Sequence, residues 1–273
     1  MGMLQGGNQG GNTYFLDTIM SPARGTSPWQ NFPSLALDCD IGTGFSVSDD
    51  FATASTVAST GLWKVTKGTG GSIVTRTSAP VVGGWIDIPT AASASDYQIF
   101  STQNAMFGGY SNLDMAFEVA IQVTEAATNV SSWFAGFTST ITSGFIQTSG
   151  APAASYSGFV IWKATGAMAV KCQTSITTTK TTSATLATAV SGTTLIVGAY
   201  LNHNDNVTAN VTPYVSTVAS NVRTSVTVGA TQTLTLASLA AMYFAFGGMC
   251  GSGGTAETFS FDYARASQGR YNQ

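Results

Sequence analysis

Charge is scarce in this chain. Only 8% of its 273 residues are Asp, Glu, Lys or Arg, against roughly 25% in an average globular protein. Thirteen acidic and ten basic residues leave a net charge of -3, so no basic surface is expected to attract a phosphate backbone, and no nucleic-acid partner is predicted. The first 40 residues hold a single basic residue, Arg24, which argues against a genome-packaging arm. There is one histidine, His203. A Ser-His-Asp relay would have to use it, and no Gly-x-Ser-x-Gly elbow accompanies it. The three cysteines, Cys39, Cys172 and Cys250, are odd in number and far apart, which excludes a paired disulfide framework and predicts buried free thiols. No apolar run reaches the roughly 18 residues of a membrane helix. The start, MGMLQGGNQGGNTYF, has neither the charged beginning nor the apolar stretch of a secretion signal, so synthesis in a cytoplasm is expected.

What is present is neutral and polar: Thr, Ser, Asn and Gln carry the solvation, and Thr favours the pleated strand surface. Five Trp, nine Tyr and fifteen Phe supply enough apolar area to offset the entropy of ordering. Residues 1–44 are rich in Gly, Asn, Pro and Ser yet carry Tyr14, Phe15, Leu16, Trp29 and Phe32. They predict an extended arm whose large side chains lie against another surface. From Phe45 the text becomes strand, turn, strand. MAFEVAIQVTE, Met115 to Glu125, alternates Met115, Phe117, Val119, Ile121 and Val123 against Ala116, Glu118, Ala120, Gln122 and Thr124, the period of a half-buried strand. WFAGFT, Trp133 to Thr138, reads as its hairpin partner, with Gly136 permitting close backbone approach. SGFVIWK and AMAVKCQ form a second hairpin through Ala164-Thr165-Gly166. TLIVGAYLN and VTANVTPYV form a third through the turn His203-Asn204-Asp205-Asn206. Ala241 to Phe246 and Thr258 to Arg265 flank a glycine-rich loop. Leu234 to Ala245 could be drawn as a helix, but the Thr-Leu alternation running into it argues for strand. The pattern predicts an all-β antiparallel two-sheet sandwich over 45–266, followed by a tail at 267–273.

Catalysis needs a nucleophile with a base, paired carboxylates or a metal cluster. The glutamates are Glu118, Glu125 and Glu257, and none stands in the Glu-x-Asp spacing of sandwich glucanases. His203, Asn204 and Asp205 could offer hard ligands to a cation, yet adjacent turn residues more often simply turn. The close acidic pairs Asp38 with Asp40 and Asp49 with Asp50 are read as strand beginnings. No catalytic residue, metal or cofactor is therefore predicted. Trp85, Tyr97 and Tyr110 fall in a loop-rich region and are the candidates for stacking on sugar rings, with closure of the core edge as the plainer alternative.

In order, the opening Asp49 to Phe51, LWKVTKGTGG from Leu62 to Gly71, the strand from Leu113 to Ala126, WFAGFT, GFVIWKATGAMAVKCQ and the closing FSFDYARA from Phe259 to Ala266 resemble the concanavalin-like jelly rolls of tailed-phage structural proteins. The resemblance spans about 45–266. It implies a non-catalytic virion component, foremost a capsid decoration protein on the outer surface of a phage head. The major capsid protein would be its partner, it would form a homo-oligomer with a trimer favoured, and Tyr14, Phe15, Leu16, Trp29 and Phe32 would make capsid or subunit contacts. The alternative is a carbohydrate- or receptor-binding module of a head or tail fibre, using Trp85, Tyr97 and Tyr110.

Overall fold

The computed structural model describes residues 44–51, 61–68, 74–75, 84–108, 114–126, 130–142, 145–146, 152–153, 155–205, 207–219, 222–235, 239–251 and 256–269. The arm candidates Tyr14, Phe15, Leu16, Trp29 and Phe32, together with Cys39 and Tyr110, lie outside the described residues.

The described chain contains strands and no helix. The first six are β1 (Gly44–Asp49), β2 (Trp63–Lys67), β3 (Val74–Thr75), β4 (Ile86–Pro89), β5 (Tyr97–Thr102) and β6 (Met115–Thr124). Next come β7 (Ser132–Thr138), β8 (Gly158–Lys163), β9 (Ala169–Ile176), β10 (Thr179–Thr182), β11 (Ala187–Thr188) and β12 (Thr194–His203). The last are β13 (Thr208–Ala219), β14 (Val222–Val228), β15 (Gln232–Thr235), β16 (Tyr243–Met249) and β17 (Thr258–Gly269). They build two sheets. A nine-stranded sheet runs β14-β13-β12-β6-β17-β4-β3, with β1 beside β17 and β15 beside β13. An eight-stranded sheet runs β10-β9-β8-β7-β16-β5-β2, with β11 beside β9. The expected all-β two-sheet sandwich is the observed fold.

The alternation in β6 sets its inward face as predicted, but the strand is not half-buried: Ala116, Glu118 and Ala120 on the other face are buried as well. Met115, Phe117, Val119, Ile121 and Val123 enter the core between the sheets. There Phe117 meets Phe137 edge-on at 5.6 Å and Phe159 at 5.9 Å, both from the opposite sheet. Each buried aromatic contributes about 1.5–3 kcal/mol from area alone. The β8–β9 hairpin forms as expected, with Phe159 opposite Thr174 and Trp162 opposite Lys171. So does β12–β13, with Thr194 opposite Val218 and His203 opposite Ala209.

The expected pairing of Met115–Glu125 with Trp133–Thr138 does not form. Strand β6 pairs with β12 and β17 in one sheet, while β7 pairs with β8 and β16 in the other. The chain between them crosses the sandwich and is pinned there: Glu125 Oε1 accepts the Ser131 N–H at 3.1 Å, the Ser131 hydroxyl, and the Lys163 ammonium at 2.9 Å. Strand β7 is buried along its whole length, as a strand with neighbours on both edges and packing on both faces must be. Gly136 does allow close approach, but toward β8: at φ 151° an added Cβ would lie 2.4 Å from the Phe159 carbonyl oxygen. The two segments around the glycine-rich loop likewise separate, β16 into the eight-stranded sheet and β17 into the nine-stranded one. The tail expected from 267 is corrected too. Strand β17 continues through Ser267, Gln268 and Gly269, because β1 pairs along it with Gly44 opposite Gly269.

Candidate functional site

The glutamates are each engaged in structure. Glu118 projects from the outer face of the nine-stranded sheet yet is fully buried. Its Oε2 accepts the Tyr214 hydroxyl at 2.8 Å and Arg223 Nη1 at 3.0 Å. Its Oε1 accepts the Tyr263 hydroxyl at 2.7 Å and Arg265 Nη2 at 2.8 Å. Burial alone would raise its pKa, but the two guanidiniums and two phenols more than offset that and hold it well below the usual carboxylate range. The Tyr214 ring reaches Glu118 by crossing Gly198, where an added Cβ would meet the ring at 2.3 Å. Glu125 stands about seven residues further along the chain, roughly 23 Å at strand rise. That exceeds the roughly 5–9.5 Å separating the two carboxylates of a glycosidase. Glu257 is buried, and its Oε2 accepts the Ala126 N–H at 2.9 Å.

The turn at His203 is a turn. Asp205 Oδ1 accepts the Val207 N–H at 2.7 Å and also bonds Thr208, while His203 Nδ1 lies 3.2 Å from Asp114 Oδ1. Asp49 is engaged as well, accepting the Phe51 N–H and the Trp63 indole N–H, each at 2.8 Å. Among the described residues, no group of three or more His, Cys, Asp or Glu side chains gathers as a metal site would require.

The stacking candidates do not assemble as expected. Trp85 is half-buried and leads into β4 of the nine-stranded sheet, whereas Tyr97 opens β5 of the eight-stranded one. Tyr97 instead shares a face with a residue that was not singled out, Trp162. In β8, Phe159 and Ile161 enter the main core, so Val160 and Trp162 face outward; the alternation of GFVIWK was the available signal. On that outer face Ile99, Phe134, Val160, Ala245 and Met249 belong to a second apolar cluster. Phe145 and Tyr156 cap its centre, with Phe145 4.5 Å from Phe134 and 5.3 Å from Tyr156. Hydrogen bonds hold the cap: Tyr156 hydroxyl to Gln173 Oε1 at 3.0 Å, Ser175 hydroxyl to Tyr156 O at 2.8 Å, Lys180 Nζ to Ala153 O at 2.6 Å.

Tyr97 and Trp162 are left half-exposed at the margins of this cluster. They are three strands apart in the sheet, about 14 Å. Between them run Met249, opposite Tyr97, and Ser132, opposite Met249. The Trp162 indole N–H and the Ser132 hydroxyl are buried without a hydrogen-bond partner among the described residues. Two half-exposed aromatic side chains on one sheet face suit a flat ligand with an apolar face.

A cleft at the end of the sandwich is lined by Ile121, Val123, Trp133, Lys163 and Leu195. The cleft is partly open, and the space within it that a water can occupy is about 10 Å³, room for a single water. It does not admit a sugar ring. The Lys163–Glu125 pair closes this end.

No known family model matches the chain, and no curated protein matches it in sequence. Solved structures do resemble it. Peanut lectin superposes with a TM-score of 0.54 at 11% identity, covering 84% of this chain and 99% of the lectin. A protein of unknown function from Shewanella oneidensis MR-1 gives 0.52 at 17% identity, covering 91% and 98%. Lectin II from Ulex europaeus gives 0.51 at 11% identity, covering 82% and 98%. At these identities the likeness defines the fold: a lectin-type jelly-roll sandwich.

Proposed function

We propose that this chain is a non-catalytic carbohydrate-binding module whose contact surface is the outer face of the eight-stranded sheet around Tyr97 and Trp162. The observation that carries the reading is the pair of half-exposed aromatic side chains, Tyr97 and Trp162, on one face. Pyranose rings present C–H groups to aromatic faces, so the two side chains match the apolar face of a sugar. The lectin-type fold supports the same reading. The capsid-decoration role rests on the arm of residues 1–44, of which 1–43 lie outside the described residues, whereas the glycan reading rests on Tyr97 and Trp162, which are described. Screening the protein on a glycan array, followed by calorimetry with the best ligand, tests it. Trp162→Ala and Tyr97→Ala should each weaken binding at least about tenfold, or about 1.4 kcal/mol. Unchanged affinity in both variants would overturn the siting, and no bound glycan would overturn the function.

A further inference from the structure

The outer face of the nine-stranded sheet is covered, and no described strand covers it. The inward residues of β6 and β12 alternate with Ala116, Glu118, Ala120 and Ile196, which stand on the side away from the core. Tyr214 and Ser216 continue that side on β13, opposite Gly198 and Ile196. All six are between 0% and 6% exposed. Every described strand belongs to one of the two sheets of the sandwich, so none lies above this face. The side chains do not bury one another completely either. The Tyr214 ring crosses the sheet at Gly198, and the Arg223 guanidinium lies over that ring, 5.6 Å from its centroid. Arg223 is the outermost layer, yet its side chain is only 6% exposed. Its Nη2 is buried without a hydrogen-bond partner among the described residues, a position in which a guanidinium donor calls for an acceptor.

The course of the chain points to the cover. The described chain enters at β1 of this same sheet, with Gly44 opposite Gly269, and four residues on Ser48 stands opposite Arg265, which bonds Glu118. From Gly44 to Glu118 is about 13 Å along the strands and about 10 Å across two strand spacings, roughly 16 Å in all. An extended chain covers about 3.3 Å per residue, so Asp38, six residues before Gly44, reaches about 20 Å. Residues 1–43 hold Asp17, Asp38 and Asp40 against the single basic residue Arg24, an excess of negative charge that complements the Arg223 guanidinium. They also carry Tyr14, Phe15, Leu16, Trp29 and Phe32, whose burial would be favourable against Ile196, Ala116 and Ala120.

We infer that the outer face of the nine-stranded sheet is the docking seat of this chain's own residues 1–43, with the Asp38 carboxylate accepting from Arg223 Nη2. The contact is intramolecular, because the reach from Gly44 is short and needs no second copy. It is independent of the carbohydrate-binding reading, which concerns the outer face of the other sheet.

The test uses the full native chain. Cys39 adjoins Asp38, and Cys172 and Cys250 are buried, so a benzophenone maleimide attaches at Cys39. Illumination, digestion and mass spectrometry should join it to peptides of β6, β13, β14 or β17 of the same chain. Cross-links confined to the eight-stranded sheet, or none, would overturn the seat. Cross-links between copies, recognised by mixing isotopically labelled and unlabelled protein, would overturn the intramolecular assignment. A second measurement needs no label. Arg24 is the only Lys or Arg in residues 1–43, so tryptic cleavage after it follows how often the segment leaves its seat. That cleavage should be at least about tenfold slower than in a synthetic peptide of residues 1–43; equal rates would overturn docking. Asp38→Asn should speed it roughly two- to fivefold in about 0.05 M NaCl, and less in about 0.5 M, with an unchanged circular dichroism spectrum. A rate indifferent to Asp38→Asn would overturn the pairing with Arg223.

Discussion

Replacing Asp262 with Asn should stabilise the protein at neutral pH and leave it unchanged in acid. Asp262 forms the irregularity in β17 between Phe261 and Tyr263. It lies at the joint where the second neighbour of that strand changes from β4, ending at Phe261 opposite Ile86, to β1, beginning at Ala264 opposite Asp49. Burial, and then the charge of Asp50, raise its pKa from 3.8 to about 6. A carboxyl whose folded pKa is raised binds its proton more tightly folded than unfolded, so stability is full below the unfolded value and is lost as pH rises through the window from 3.8 to about 6. A shift of about two units corresponds to about 3 kcal/mol. The group is half-exposed, so screening by solvent reduces this to about 1–2 kcal/mol. The neutral amide removes that penalty. In a domain of this size the gain is worth about 2–8 °C in Tm. Thermal melts of both proteins by circular dichroism, taken at intervals between about pH 3.5 and 8, should give a difference in Tm that rises through the same pH window. A flat difference, or a variant less stable at neutral pH, would refute the reasoning, since it would mean that the ionised carboxylate is held by a favourable partner.

Glu118→Gln should destabilise by about 3 kcal/mol, because Arg223 would keep its charge in a buried site with no counter-ion while Arg265, 30% exposed, is partly relieved by solvent; chemical denaturation would read this as a lower midpoint with unchanged slope. The same carboxylate has a lowered folded pKa, so its contribution is present above the ordinary carboxylate range and fades only as pH falls below it. Wild type and Glu118→Gln should therefore converge in stability toward strong acid. Gly198→Ala should cost about 1–3 kcal/mol by forcing the Tyr214 ring off Glu118, and Tyr214→Phe in the same background should recover little, a coupling measurable by a double-mutant cycle. In a Cys39→Ser variant, Cys172, pushed up to about 12 by burial, and buried Cys250 should resist Ellman's reagent until the protein is unfolded. Rapid labelling of the native protein would contradict the packing.

Much of the architecture was legible because strand alternation is a local property. Met115 to Val123 announced its inward face, SGFVIWK and AMAVKCQ announced the β8–β9 hairpin, and the His203 turn announced the β12–β13 hairpin. The pairing of Met115–Glu125 with Trp133–Thr138 failed because nearness in sequence says nothing about which sheet a strand joins; the crossover is held by Lys163, 38 residues from Glu125. Trp162 lies in a strand that its sequence marks, but its place on a contact face is not legible there, since an outward aromatic is informative only once the cap over the cluster shows where it stays exposed. Trp85 and Tyr97 are near in sequence and separate in space for the same reason as β6 and β7: consecutive strands change sheets.

The sequence by itself determined the class of structure and the poverty of catalytic groups, because composition and a two-residue period act within a few residues of each other. Only the tertiary structure decided which side chains share a surface. Long-range pairing put Glu118 among Tyr214, Arg223, Tyr263 and Arg265, and brought Tyr97 and Trp162 onto one face. Strand order across a sheet is selected by the joint burial of many separated residues, and no short window of sequence contains it.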